Sequence, residues 1–189
     1  MRVLGISGSL RRDSYNSGLL RAAADLLPSG AELEVFDGLK AIPPYDADDD
    51  VDPAPAAVAA LRDAIADADA VLVATPEYNA SIPGVLKNAL DWASRPHATN
   101  PLRGKPAAVV GASTGMFGAV WAQADTRKVL STIGARVVDV ELPVPEGDER
   151  FDAAGTLRDA EVEEQLGEVL GALVEAAEIR SAGLAARAA

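Results

Sequence analysis

The chain has 189 residues, with 17 basic and 29 acidic side chains, a formal net charge of -12 and a pI near 4.4. Apolar residues make up 49% and charged residues 24%, which fits one globular domain and excludes a disordered chain; the acidic balance argues against a nucleic-acid partner, because phosphate neutralisation needs a basic face. There is no Cys, hence no disulfide, thiolate metal site or dithiol pair, and electron chemistry requires a bound cofactor.

No apolar run approaches the roughly 18 residues of a membrane span. The opening Met1-Arg2-Val3-Leu4-Gly5-Ile6 is too short and too soon interrupted for a signal peptide. A cytoplasmic protein without membrane association is therefore expected.

In chain order, Arg2–Ser7 reads as a strand, followed by a helical stripe of Leu19, Leu20, Ala23, Ala24 and Leu27 that ends at Pro28 and Gly30. Glu32–Phe36 is a second strand. Five Asp residues between Asp46 and Asp52 follow the Pro43-Pro44 pair; they lack the Gly and distal Glu of a calcium loop and read as a solvated acidic loop. Val58, Leu61 and Ile65 mark the second helix. Asp69–Thr75 is the third strand, and Leu86, Ala89, Leu90 and Ala93 mark a third helix, opening at Pro83 and closing before Pro96.

Pro106–Ala112 is the fourth strand, Val120, Ala124, Leu130 and Ile133 a looser helix, and Arg136–Val140 the fifth strand. The central three strands read as continuous apolar runs covered on both faces. Val162, Leu166, Leu170, Leu173 and Val174 form the last helix, after which 181–189 reads as a frayed tail with some helix. Five alternations of strand and helix give one α/β domain over 1–180, with a parallel sheet and helices on both faces.

In such a sheet, ligands bind beyond the carboxyl ends of the strands where the strand order reverses. The loop after the first strand, Gly8-Ser9-Leu10-Arg11-Arg12-Asp13-Ser14-Tyr15-Asn16, gathers hydroxyls, an amide and two guanidinium groups at a helix N-terminus. This combination favours a phosphate, with Ser9, Ser14 and Asn16 as neutral donors and Arg11 or Arg12 as charged ones. It is neither a Walker loop nor a Gly-x-Gly-x-x-Gly turn.

After the third strand, Thr75-Pro76-Glu77-Tyr78-Asn79-Ala80-Ser81-Ile82-Pro83-Gly84 is stiffened by two prolines, and Tyr78 reads equally as loop packing or as a face for a flat ring. Glu77 has no second carboxylate or His near it for acid–base work. After the fourth strand, Gly111-Ala112-Ser113-Thr114-Gly115-Met116-Phe117-Gly118 lets backbone approach a ligand closely. Three such loops on one sheet edge suit a phosphorylated planar heterocycle, which flavin mononucleotide (FMN) is. His97, the one histidine, reads as a loop contact, and Trp92 and Trp121 as core or subunit contacts.

Gly8-Ser9-Leu10-Arg11 with Ser14 and Asn16, Thr75-Pro76-Glu77-Tyr78-Asn79, Ile82-Pro83-Gly84, Lys87-Asn88-Ala89-Leu90-Asp91-Trp92, Gly104-Lys105-Pro106, Gly111-Ala112-Ser113 and Ala122-Gln123 follow one another along the chain. Over about residues 3 to 140 the chain thereby resembles the NAD(P)H-dependent FMN reductases, a family that includes quinone, chromate and azo-dye reductases. The resemblance implies a flavodoxin-like fold, strand order 2-1-3-4-5, and non-covalent FMN in a homodimer or homotetramer. It implies that Ser9, Arg11, Ser14 and Asn16 hold the phosphate, that Pro76, Glu77, Tyr78 and Asn79 border the isoalloxazine, and that Ser113 and Gly115 meet its pyrimidine edge. Where relatives often carry Arg before Ala-Gln, this chain has Trp121, at a position the family associates with subunit contacts.

The expected activity is hydride transfer from NADH or NADPH to bound FMN and on to a small-molecule acceptor: a quinone, azo compound, metal oxyanion or free flavin. The cofactor carries the chemistry and no dedicated acid or base is needed. One competing reading is a flavodoxin-type electron carrier that docks to basic partners; the paired Arg11 and Arg12 speak against it. Another is a flavin-free scaffold acting through its oligomer surface.

Overall fold

Two runs of small aliphatic residues without a charge make the middle of the molecule. A computed structural model describes residues 1–188. Strands β3 (Ala70–Ala74) and β4 (Pro106–Ala112) are buried at every position, as both-face coverage by helices requires. With β1 (Arg2–Ser7), β2 (Glu32–Phe36) and β5 (Arg136–Val137) they form a parallel sheet of order β2-β1-β3-β4-β5. Stepping out from β1 in both directions creates the switch point between β1 and β3.

Strand β2 corrects one expectation. Its Glu32, Glu34 and Val35 are exposed, so it is an edge strand with alternating charge and not a covered apolar run. The expected fifth strand is also divided. Only Arg136 and Val137 pair with the start of β4, and a sixth segment, β6 (Leu142–Val144), pairs with its end at Val110, Gly111 and Ala112. Between them Arg127 donates to the carbonyls of Val138 at 2.8 Å and Val140 at 3.1 Å, taking acceptors that a continuous ladder would have used.

The helices are α1 (Tyr15–Leu26), α2 (Ala56–Asp67), α3 (Gly84–Ala93), α4 (Val120–Ile133), a single turn α5 (Gly147–Arg150) and α6 (Ala160–Ala188). Alternate residues of each central strand point to opposite faces, which divides the core in two. Leu4, Ile6, Val71, Val73 and Val109 meet Leu61 and Ile65 of α2, Leu86 and Leu90 of α3 and Leu130 of α4. Val3, Leu72, Ala108 and Val110 meet Leu19 and Leu20 of α1 and Leu166, Leu170 and Leu173 of α6. Each such fully buried Leu or Ile contributes roughly 1.5–3 kcal/mol of transfer free energy. Helix α6 continues through Ala188 where a tail was expected, with residues 181–186 exposed; Ala189 lies outside the described residues.

Candidate functional site

The loop leaving β1 turns tightly into α1. At Gly8 a Cβ would stand 3.0 Å from Leu86 Cδ2 and 3.2 Å from Pro76 Cδ, so a side chain there would push this loop off the β3 loop. Ser14 is the N-cap of α1, its Oγ accepting from the Asn16 backbone N–H at 3.2 Å, as an extended Ser before a helix does. The Arg11 backbone N–H donates to Ser9 Oγ at 3.3 Å, and the Arg11 guanidinium lies 5.1 Å from the Tyr15 ring centre. Hydroxyls, a guanidinium and the positive end of a three-turn helix thus face one direction.

Asn16 departs from the role expected of it. Its side chain is buried and exchanges two hydrogen bonds with Ala112 at the end of β4. Nδ2 donates to the carbonyl at 2.9 Å, and Oδ1 accepts from the N–H at 3.0 Å. An amide has the same donor and acceptor as a peptide group, so Asn16 substitutes for a strand neighbour and ties the first loop to the third.

The second loop is a two-residue hairpin. Tyr78 and Ser81 exchange backbone hydrogen bonds of 3.2 Å, and Asn79 and Ala80 both have positive φ, 53° and 58°. This is the primed turn that suits a right-handed ribbon, normally filled by Asn-Gly. Ser81 Oγ donates to Asp125 of α4 at 2.7 Å and fixes the hairpin from outside. Glu77 Oε2 accepts from the backbone N–H groups of Trp121 and Ala122 at 3.0 and 3.1 Å, so the carboxylate caps α4 and is directed to that helix.

The third loop is held on both sides. The Ser113 N–H donates to the Val144 carbonyl at 3.1 Å, and the Ser113 carbonyl accepts from Gly147 at 3.0 Å. Gly118 has φ +56°, and a Cβ there would fall 2.6 Å from the Val144 nitrogen, so only glycine permits the approach.

The three loops close around one cleft of about 280 Å³, lined by Ser9, Arg11, Ser14, Asn16, Pro76, Glu77, Tyr78 and Ser113, and also by Tyr15, Ala112 and Thr114. Asn79 and Gly115 do not line it: Asn79 sits in the hairpin turn, and Gly115 offers its carbonyl to Ser113 Oγ at 3.3 Å. Tyr15 was missed, although a tyrosine directly after a capping Ser was the available signal. A cavity between α1 and α6 is larger, about 390 Å³, but only the cleft combines hydroxyls, a guanidinium, a helix N-terminus and aromatic rings. Tyr78 is 51% exposed, and its ring is available to a flat ligand.

Comparison with known proteins shows the family of the chain. The family model described as NADPH-dependent FMN reductase matches residues 1–149. The chain belongs to that family. An NAD(P)H-dependent FMN reductase of Pseudomonas aeruginosa is 45% identical over 174 residues, 92% of this chain and 93% of the relative. A 2-hydroxy-1,4-benzoquinone reductase of a Burkholderia species is 41% identical over 158 residues, 83% of this chain and 85% of the relative. Among solved structures, the flavoenzyme NAD(P)H:(acceptor) oxidoreductase FerB of Paracoccus denitrificans superposes with a TM-score of 0.84 at 38% identity, covering 94% of this chain and 97% of that one. The segment matched to the FMN reductase family contains all three loops of the cleft and ends before α6.

His97 is exposed, with its carbonyl accepting from Asn100 and Arg103 at 3.0 Å each. Trp92 is core, its indole N–H donating to the Pro43 carbonyl at 2.8 Å. Trp121 is 47% exposed, edge to face with Phe117 at 4.9 Å. In the acidic loop Asp46 caps a short turn and Asp50 pairs with Arg62 at 2.9 Å.

Proposed function

We propose that the protein is an FMN-dependent NAD(P)H reductase that uses this cleft to bind the flavin and to pass electrons from NADH or NADPH to a small acceptor of the quinone class. The observation that carries the reading is the convergence of a phosphate-type donor set and an exposed tyrosine on one cleft, with its single carboxylate engaged elsewhere. The Glu77 carboxylate is tied by two hydrogen bonds to the N-terminus of α4, whose positive end offsets part of its charge.

Ser9, Arg11 and Ser14 hold the phosphate, with the N–H groups of the first turn of α1 behind them. Pro76, Glu77 and Tyr78 border the isoalloxazine through the loop backbone and the tyrosine ring. Ser113, with Gly115 behind it, meets the pyrimidine edge. Asn16 positions the site by locking Ala112 against α1, and Asn79 sets the turn that presents Tyr78. The chemistry that FMN supplies when bound is two-electron transfer from a reduced nicotinamide to an acceptor. The chain contributes placement and an open approach, since stacking donor and acceptor in contact removes much of the entropic barrier.

The protein acts in the cytoplasm as a homodimer or homotetramer; the assembly is supported by Met116, Phe117 and Trp121, which stand 71%, 55% and 47% exposed beside the cleft. Light scattering of the wild type against Trp121→Ser tests the assembly; a monomeric wild type rejects it. For the activity, the FMN-loaded protein is mixed anaerobically with NADH or NADPH and the flavin absorbance followed. Bleaching, restored by adding a benzoquinone, is the expected result. No bleaching with either nucleotide overturns the reading.

A further inference from the structure

At the opposite end of the sheet, three arginines from three separate elements meet in one cavity. Arg103 lies in the loop before β4, Arg136 opens β5, and Arg180 is on the outer part of α6. With Gly104, Ile179, Gly183 and Leu184 they line a space of about 350 Å³. No Asp or Glu lines it, although the chain carries 29 of them. None of the three guanidinium groups is in an ion pair among the described residues, whereas Arg62, Arg127, Arg150 and Arg158 are.

The arrangement is held by backbone. Gly104 N–H donates to the Gly134 carbonyl at 2.8 Å, and Arg136 N–H donates to the Lys105 carbonyl at 2.8 Å, which sets the two loops side by side. Arg103 Nη2 donates to the His97 carbonyl at 3.0 Å, fixing one edge of its fork and leaving the rest to the cavity. Ile179 and Leu184, 62% and 51% exposed, add an apolar wall. The buried Lys105 ammonium nearby is pushed down to about 8, chiefly by burial and secondarily by Arg180, with Asp69 and Asp67 partly opposing the shift. Like charges gathered without a counter-charge repel one another, and an anion between them removes that cost.

We propose that this cavity binds a small amphiphilic oxyanion, a head of phosphate geometry on a short apolar body, at a site separate from the flavin cleft. Forked guanidinium groups match the oxygens of such a head, and Ile179 and Leu184 take the body. The inference does not depend on the proposed reductase activity.

The test is calorimetric titration of FMN-loaded protein with hexyl phosphate, alongside inorganic phosphate and hexanol, with the flavin absorbance recorded in parallel. Expected are one-to-one binding of hexyl phosphate, tighter than either control, with an unchanged flavin spectrum. Arg136→Gln and Arg180→Gln should each weaken it by about tenfold, the loss of a charge-assisted hydrogen bond. Arg136 is exposed and Arg180 half-buried, and both lie at the opposite end of the sheet from the cleft, so FMN content and turnover stay at wild-type level. The proposal is overturned if hexyl phosphate gives no binding, binds the variant carrying both Arg136→Gln and Arg180→Gln as well as the wild type, binds no better than inorganic phosphate, or displaces flavin.

Discussion

The two ends of the one sheet are built differently. Among the described residues, every non-glycine residue with positive φ is at the carboxyl end: Asn79, Ala80, Ala119 and Glu146, all in loops that follow β3, β4 or β6. At the amino end the positive-φ positions are Gly30, Gly104 and Gly134, which adopt that region without strain. The amino end also satisfies its polar groups by simple capping: Lys105 Nζ donates to the carbonyls of Ile65 at 2.5 Å, Ala66 at 3.0 Å and Ala68, closing the C-terminus of α2. Strain of about 1–2 kcal/mol for each left-handed non-glycine residue is thus concentrated around the flavin cleft, whereas the amino end, the arginine cavity included, turns on glycines that adopt this region without it.

That contrast is sharpened by substitutions at each end. Asn16→Ala leaves a buried N–H and carbonyl of Ala112 without partners and separates two loops of the cleft. We expect a stability loss of about 2–4 kcal/mol in urea unfolding together with at least roughly tenfold weaker FMN binding, measured by quenching of flavin fluorescence. Lys105→Met strands three carbonyls at the other end. Its unfolding free energy should fall by about 2 kcal/mol while FMN affinity is unchanged, and a matching loss of affinity would erase the distinction between the ends.

Arg11→Ala is the inverse case. Its guanidinium touches the Tyr15 ring but supports no core, so FMN affinity should drop about tenfold with the apoprotein melting temperature unaltered. Ala80→Gly relieves the left-handed strain of the hairpin and should stabilise the protein by about 0.5–1 kcal/mol, net of the added freedom of the unfolded chain; destabilisation would mean that the turn is not strained.

The smallest effect lies in acid, away from both ends. Asp159 is held below the ordinary carboxylate value, chiefly by its hydrogen bond from Arg150, and Asp152 likewise by the backbone of Thr156 and by Arg158. A carboxyl lowered in the folded state contributes stability above its unfolded value of about 3.9, and loses it as the pH falls through the folded value. The denaturant midpoint of the wild type should therefore fall more steeply below pH 4 than that of Asp159→Asn.

Much of this molecule could be read from residue types. The alternation of uncharged strands and striped helices fixes a parallel α/β sheet, since a strand buried on both faces tolerates no charge and a helix lying on it needs one apolar stripe. Ser9, Arg11, Ser14, Tyr78 and Ser113 were identifiable as site candidates because each sits in a strand-end loop, where such residues have no structural duty to the core.

What escaped was decided by contacts between distant parts of the chain. Asn16 meets Ala112 across 96 residues, Glu77 reaches α4 across 44, and the Arg127 guanidinium divides an expected strand by capturing its carbonyls. A polar side chain in a loop has the same sequence signature whether it faces a ligand or a backbone group, and only the closed fold selects the partner. The same holds for Arg103, Arg136 and Arg180, which are unremarked single charges until three separate elements bring them to one cavity. Local propensity and burial pattern are properties of the chain; the pairing of hydrogen bonds and charges is a property of the distances that packing creates.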